Sequence, residues 1–93
     1  MKITVIGGGS TYTPELVSGF LDRAASLGIR ELWLVDPDAD RLAVVGGFVQ
    51  RMAAAHGGPF QIVPTTDRQQ GLEGAGYVIV QLRVGGMKTR RED

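Results

Sequence analysis

Lys2-Ile3-Thr4-Val5-Ile6-Gly7-Gly8-Gly9-Ser10 decides the fold of this chain. A short, largely β-branched run stops at three glycines, and Thr13-Pro14-Glu15 follows shortly after. The run reads as a buried strand ending in a tight turn. The second motif reads as a helix start. Thr13 offers a capping hydroxyl, proline suits the first helical position, and Glu15 lies near the positive end of the helix dipole. Leu16, Val17, Phe20, Leu21, Ala24 and Leu27 are spaced for one helix face, and Gly28 stops it.

The same grammar continues outward. Glu31-Leu32-Trp33-Leu34-Val35 reads as a second strand. Asp36-Pro37-Asp38 ends it and supplies caps for a second helix, with Leu42, Val45, Phe48, Val49 and Met52 on one side. His56-Gly57-Gly58 ends that helix. Residues 60–63 form a third predicted strand, closed by Pro64. Thr66-Asp67-Arg68-Gln69 has capping-box spacing for a short third helix ending near Gly74. Tyr77-Val78-Ile79-Val80 is the most apolar run and is expected to be a central strand covered on both faces. Strand starts near residues 2, 31 and 60 are spaced as βα units rather than as a sequence repeat. Strands joined through helices run parallel with right-handed crossovers. The expected architecture is α/β: the first half of a doubly wound, Rossmann-type parallel sheet with strand order 3-2-1-4. The fourth strand would then be the innermost of a second half, and no strand pattern follows it in residues 81–93. Residues 1–93 therefore read as the N-terminal segment of a longer protein.

Composition narrows the function classes. The chain has 93 residues, with ten basic and ten acidic side chains and zero net charge. That allows one small domain with a thin core. Balanced charge argues against a nucleic-acid partner, which needs a basic surplus on one face. No apolar run approaches the roughly 18 residues of a membrane span. Cysteine is absent, so these residues hold neither a disulfide nor a thiolate metal site. Fourteen residues are glycine, about twice the usual ~7%. The apolar stretch behind Met1-Lys2 is too short for a secretory signal, so a cytoplasmic location is the default expectation.

The glycine turn is the first candidate site. Gly7 and Gly9 would let a backbone approach a pyrophosphate whose charge sits on the helix N-terminus. The third glycine of the G-x-G-x-x-G fingerprint is missing, because position 12 is Tyr12. The bland alternative is a tight turn with no ligand. Asp36 ends the second strand, 27 positions after Gly9 (36 − 9). An acid there can accept both ribose hydroxyls of adenosine, or it can cap the next helix, a task open to Asp38. Ser10 has no histidine or acid arranged to activate it, and a hydroxyl bond to a phosphate is the better reading. Arg83-Val84-Gly85-Gly86 follows the fourth strand, with Lys88, Arg90 and Arg91 beyond. They would stand at the crevice between strands one and four, or form a solvated basic stretch. His56 suits the negative end of a helix, and Trp33 reads as packing.

These blocks, in this order, resemble the start of the family 4 glycosidases. The resemblance is carried by residues 6–16 around Gly-Gly-Gly-Ser-Thr-Tyr-Thr-Pro-Glu-Leu, by Glu31–Val35 with Asp36, by Thr66-Asp67-Arg68, and by Gln81-Leu82-Arg83-Val84-Gly85-Gly86. The wording is nearest the 6-phospho-β-glucosidase branch and spans the whole chain. The resemblance implies hydrolysis of 6-phosphoglycosides by redox chemistry: NAD oxidises the C3 hydroxyl, the C2 proton becomes acidic, the aglycone is eliminated, water adds, and the hydride returns. It also implies a divalent metal, usually manganese, on ligands that lie downstream of this segment together with the acid and base. This departs from two-carboxylate glycoside hydrolysis. Residue by residue, it carries Gly7, Gly9 and Ser10 to the dinucleotide phosphates and Asp36 to the ribose. It carries Arg90 to the 6-phosphate of the sugar and places Arg83 in the same block at the cofactor. A homo-oligomeric full-length protein is expected. Two rival readings remain: a lactate- or malate-type NAD-dependent dehydrogenase, which does not explain Tyr-Thr-Pro-Glu-Leu, and a non-catalytic nucleotide-sensing module.

Overall fold

The computed structural model describes residues 1–81. Four strands, β1 (Lys2–Ile6), β2 (Glu31–Val35), β3 (Gln61–Thr65) and β4 (Tyr77–Val80), form one sheet in the order β3-β2-β1-β4. All three pairings are parallel, with Lys2 opposite Glu31, Glu31 opposite Gln61 and Ile3 opposite Tyr77. The connections are helices α1 (Thr13–Asp22), α2 (Ala24–Leu27), α3 (Ala39–Ala55) and α4 (Arg68–Leu72). The predicted topology is the observed one.

Side chains alternate across a strand. Ile3, Val5, Leu32, Leu34 and Ile62 therefore share one face. There they join Val17, Leu21, Leu42, Val49 and Ala53 of α1 and α3 in the buried core. Thr4, Trp33, Val35, Val78 and Val80 share the opposite face. α4 is the helix packed there: Thr4 donates its hydroxyl to the Gly71 carbonyl, and a Cβ on Gly71 would run into Val35.

Several local expectations are corrected. Tyr12, not Thr13, holds the N-cap position of α1, with no side-chain cap bond. Ser10 Oγ accepts the Tyr12 N–H instead, and the Thr13 hydroxyl turns inward to the Gly8 carbonyl. The helix pauses at Arg23, where φ is −120°, so the last turn is redirected and Leu27 ends up exposed. Gly28, at φ 65°, closes it as expected. On α3 the buried stripe is Leu42, Gly46, Val49 and Ala53, while Phe48 faces out. A Cβ on Gly46 would stand 3.3 Å from Pro64, so the small residue lets α3 lie close on β3. Pro64 does not close β3 but lies within it, opposite Leu34. Among the described residues β3 is an edge strand, where a missing N–H is tolerated. α4 is capped by Asp67, whose carboxylate accepts the Gln70 N–H, rather than by Thr66. Asp38 caps α3 through the Arg41 N–H, as expected. His56 Nδ1–H donates to the Met52 carbonyl at the end of α3. β4 is an edge among the described residues, and Tyr77, Val78 and Val80 are 60, 43 and 62% exposed. The expectation of a strand covered on both faces is not met there.

Candidate functional site

The carboxyl ends of β1, β2 and β4 meet at the glycine turn. Gly7 adopts φ 88°, a left-handed conformation that favours glycine, and its N–H donates to the Val35 carbonyl at 2.7 Å. The Gly8 N–H donates to the same carbonyl at 2.9 Å. A Cβ on Gly8 would stand 2.6 Å from Leu34 Cβ, and one on Gly7 would stand 2.6 Å from the Gln81 carbonyl oxygen. Both contacts are with neighbouring strands. The turn is thus glycine-rich first because β2 and the end of β4 press on it. Gly8, absent from the fingerprint reading, is as tightly constrained as Gly7 and Gly9.

Asp36 is the centre of the site. Its side chain is fully buried at 0% exposure. Oδ2 accepts the Gly9 N–H and Oδ1 accepts the Asp38 N–H, each at 2.9 Å. A Cβ on Gly9 would stand 2.8 Å from Asp36 Oδ2. Asp36 is thus more than a choice between helix cap and ribose ligand. Asp38 caps α3, while Asp36 latches the glycine turn to the β2–α3 turn. Arg41 adds to the latch by donating from Nε to the Gly9 carbonyl at 3.3 Å.

Ser10 is buried, its N–H donates to the Gly7 carbonyl, and its Oγ accepts from Tyr12. Thr11 is exposed, and its N–H has no hydrogen-bond acceptor among the described residues. It lies at the positive end of α1, where an anion would find a donor and a favourable dipole. Beside it Gly9, Thr11, Asp40, Arg41, Val44 and Val45 line an open pocket of about 320 Å³. A backbone N–H at the N-terminal end of α1 that has no acceptor among the described residues is what a dinucleotide phosphate requires. The turn therefore fits that group.

The structure brings Gly7, Gly9, Ser10 and Asp36 together. Arg83 and Arg90 lie outside the described residues. Among the described residues, no group of three His, Asp or Glu side chains could hold a metal ion, and no helix is long and apolar enough to cross a membrane. Trp33 packs as expected, under the Lys2 ammonium at 4.1 Å from the ring centroid, with Nε1 donating to Glu31. Sequence reasoning passed over Gly8 and Thr13 as parts of this site, and marked Arg41 only as a residue near Asp36 able to receive a 2′-phosphate. A third consecutive glycine was the available signal for the first. The roles of Thr13 and Arg41 depend on contacts distant in sequence.

Comparison with known proteins agrees with this geometry. Residues 2–93 match the family 4 glycosyl hydrolases. A Bacillus subtilis protein named "Probable 6-phospho-beta-glucosidase" is 47% identical over 100% of this chain and 22% of its own length. The Escherichia coli 6-phospho-beta-glucosidase is 42% identical over 100% of this chain and 21% of its own. The Thermotoga maritima 6-phospho-beta glucosidase, solved with manganese, NAD+ and glucose-6-phosphate, superposes with a TM-score of 0.83. It is 40% identical and shares 95% of this chain and 21% of its own. The chain thus spans about a fifth of the length of the relatives it matches. With the family match running nearly end to end and the strand order and glycine turn in place, the chain belongs to the family 4 glycosyl hydrolases.

Proposed function

We propose that this chain is the NAD-binding part of a 6-phospho-β-glucosidase, hydrolysing 6-phosphoglucosides by oxidation, elimination, addition and reduction. The observation that carries the reading is the hydrogen bond between the Gly9 N–H and Asp36 Oδ2, which unites the glycine turn and the acid closing β2 in one site. Solved relatives of this fold hold NAD together with glucose-6-phosphate. NAD, when bound, takes up a hydride from the sugar and later returns it.

In this reading Gly7, Gly9 and Ser10 border the dinucleotide phosphates and the Thr11 N–H donates to them. Asp36 serves the adenosine ribose from its place beside Gly9. Arg83 belongs to the cofactor side, and Arg90 binds the sugar's 6-phosphate. A divalent metal, manganese, would be held by residues outside this segment. The full-length protein is read as a cytoplasmic homo-oligomer.

Hydrolysis of a chromogenic 6-phosphoglucoside by the full-length protein, with and without NAD and manganese, tests the reading. Activity is expected only with both, and activity without NAD would refute it. Arg90→Ala should lose roughly 10- to 100-fold in kcat/KM, the equivalent of one charge-assisted phosphate bond, with NAD still bound. Arg90→Lys should recover only part, because a point charge lacks the guanidinium fork. Wild-type kinetics in Arg90→Ala would remove the phosphate assignment.

A further inference from the structure

Gln81, immediately after β4, meets the glycine turn in three ways. Its N–H donates to the Ile6 carbonyl at 2.9 Å, and its own carbonyl oxygen crowds Gly7. Its side-chain Nε2 donates to Thr13 Oγ1 at 2.9 Å, across 68 positions of sequence. Thr13 is fully buried, and its single hydroxyl proton goes to the Gly8 carbonyl at 2.9 Å. A hydroxyl whose proton is committed can only accept. That requirement sets the orientation of the Gln81 amide, with its NH₂ toward Thr13.

The Gly8 carbonyl and the Gly9 N–H belong to one planar peptide unit. Its oxygen is held by Thr13 from the β4 side, and its N–H is held by Asp36 from the β2 side, at 2.9 Å. The peptide is clamped at both ends, and the turn leading to Thr11 follows from its plane. We propose that Gln81 is a positioning residue for the dinucleotide. Acting through Thr13, it holds the Gly8–Gly9 peptide in the orientation from which the turn meets a pyrophosphate, without touching the ligand. This rests on the NAD reading above and extends it to a residue whose type alone signals nothing.

The test measures NAD affinity by calorimetry and the thermal midpoint in the full-length protein. Gln81→Leu and Thr13→Val should each weaken NAD binding roughly 3- to 10-fold, as expected for one neutral hydrogen bond. The double variant should be no weaker than about the worse single one, because both changes cut the same chain. Thr13→Ser, which keeps the hydroxyl, should recover most of the affinity lost in Thr13→Val. If Gln81→Leu does not fold, Gln81→Glu takes its place: it keeps the shape but cannot donate at neutral pH, and the same weakening is expected. Losses that multiply in the double variant, or unchanged NAD affinity beside a lowered midpoint, would overturn the proposal and leave Gln81 a packing residue. A wild-type protein that binds no NAD would instead remove the underlying cofactor reading.

Discussion

The two faces of the sheet are built differently. On one, Ile3, Val5, Leu32, Leu34 and Ile62 are buried under α1 and α3. On the other, the five-residue α4 packs over Thr4 and Val35, while Val78 and Val80 remain exposed. The covered face carries the apolar core, with Tyr77 exposed on it at the β4 edge. The open one carries polar and charged groups: the Thr4 hydroxyl is bonded to α4, and the Lys2 ammonium over Trp33 donates to the carbonyls of Gln70 and Glu73 at its end. The lesson is that the site draws its rigidity from the covered side. Leu34, which Gly8 touches, belongs to that core, and β2 runs from it directly into the Val35 carbonyl and Asp36 that hold the turn.

The sharpest way to break this comparison is a paired truncation. Leu34→Ala should cost about 2–5 kcal/mol, the usual range for a buried leucine. A domain of this size has on the order of 5–14 kcal/mol in total, so the loss is large. Val78→Ala on the open face should cost under about 1 kcal/mol. Denaturant titration of both variants gives the two numbers, and similar losses would mean that the faces are equally sealed.

Next in size is Asp36. Asp36→Ala leaves the N–H groups of Gly9 and Asp38 without their acceptor, at about 1–3 kcal/mol for the buried Gly9 donor and less for the part-buried Asp38 one. Asp38→Ala removes only an N-cap, at about 0.5–2 kcal/mol. Thermal unfolding should therefore rank Asp36→Ala as the more damaging. Cofactor choice separates latch from ligand: a ribose-binding carboxylate disfavours the 2′-phosphate of NADP, so wild type should prefer NAD and Asp36→Ala should relax the preference. Equal affinities in the wild type would leave Asp36 a latch alone, with Arg41 nearby able to receive the phosphate.

Legibility in the sequence follows the same division. Strand positions, the order 3-2-1-4, the Gly28 stop and the Asp38 cap were readable because each is signalled by neighbours along the chain. So was the pairing of the glycine turn with Asp36, since an acid closing the second strand is a spacing pattern. What escaped is set by partners far apart. Thr13 looked like a cap and proved to be the link between Gln81 and Gly8, and nothing local distinguishes these uses. Pro64 looked like a strand end, but its edge position allowed the strand to continue through it. The apolarity of Tyr77–Val80 signals a need for cover, and the lack of a following strand pattern reads as an exposed edge in residues 1–93; among the described residues Tyr77, Val78 and Val80 are exposed.

Gly19 sharpens the comparison from the covered side. It lies inside α1, and a Cβ there meets nothing within 4 Å. Gly19→Ala should therefore stabilise by about 0.5–1 kcal/mol through helix propensity. Gly71→Ala in α4 should instead destabilise, because its Cβ would run into Val35. Melting curves for the two should shift in opposite directions. A downward shift for Gly19→Ala would show that α1 is more crowded than its geometry indicates.

The smallest expected stability effect belongs to Val80, and its value lies in a second readout. The side chain is 62% exposed on the open face, so Val80→Lys removes little buried area and should change stability by no more than about 0.5 kcal/mol. β4 is also an edge among the described residues, with Val78 and Val80 on the same side of it. An apolar edge strand offers backbone groups and side chains to a second copy, and a lysine there opposes pairing by its charge and hydration. The 93-residue chain should therefore self-associate as its concentration rises, and Val80→Lys should move that onset to higher concentration with the melting curve in place. Sedimentation velocity over a concentration series reads the first quantity and thermal unfolding the second. A loss of more than about 1 kcal/mol in Val80→Lys would mean that this face is packed after all, and the contrast between the two faces would fall.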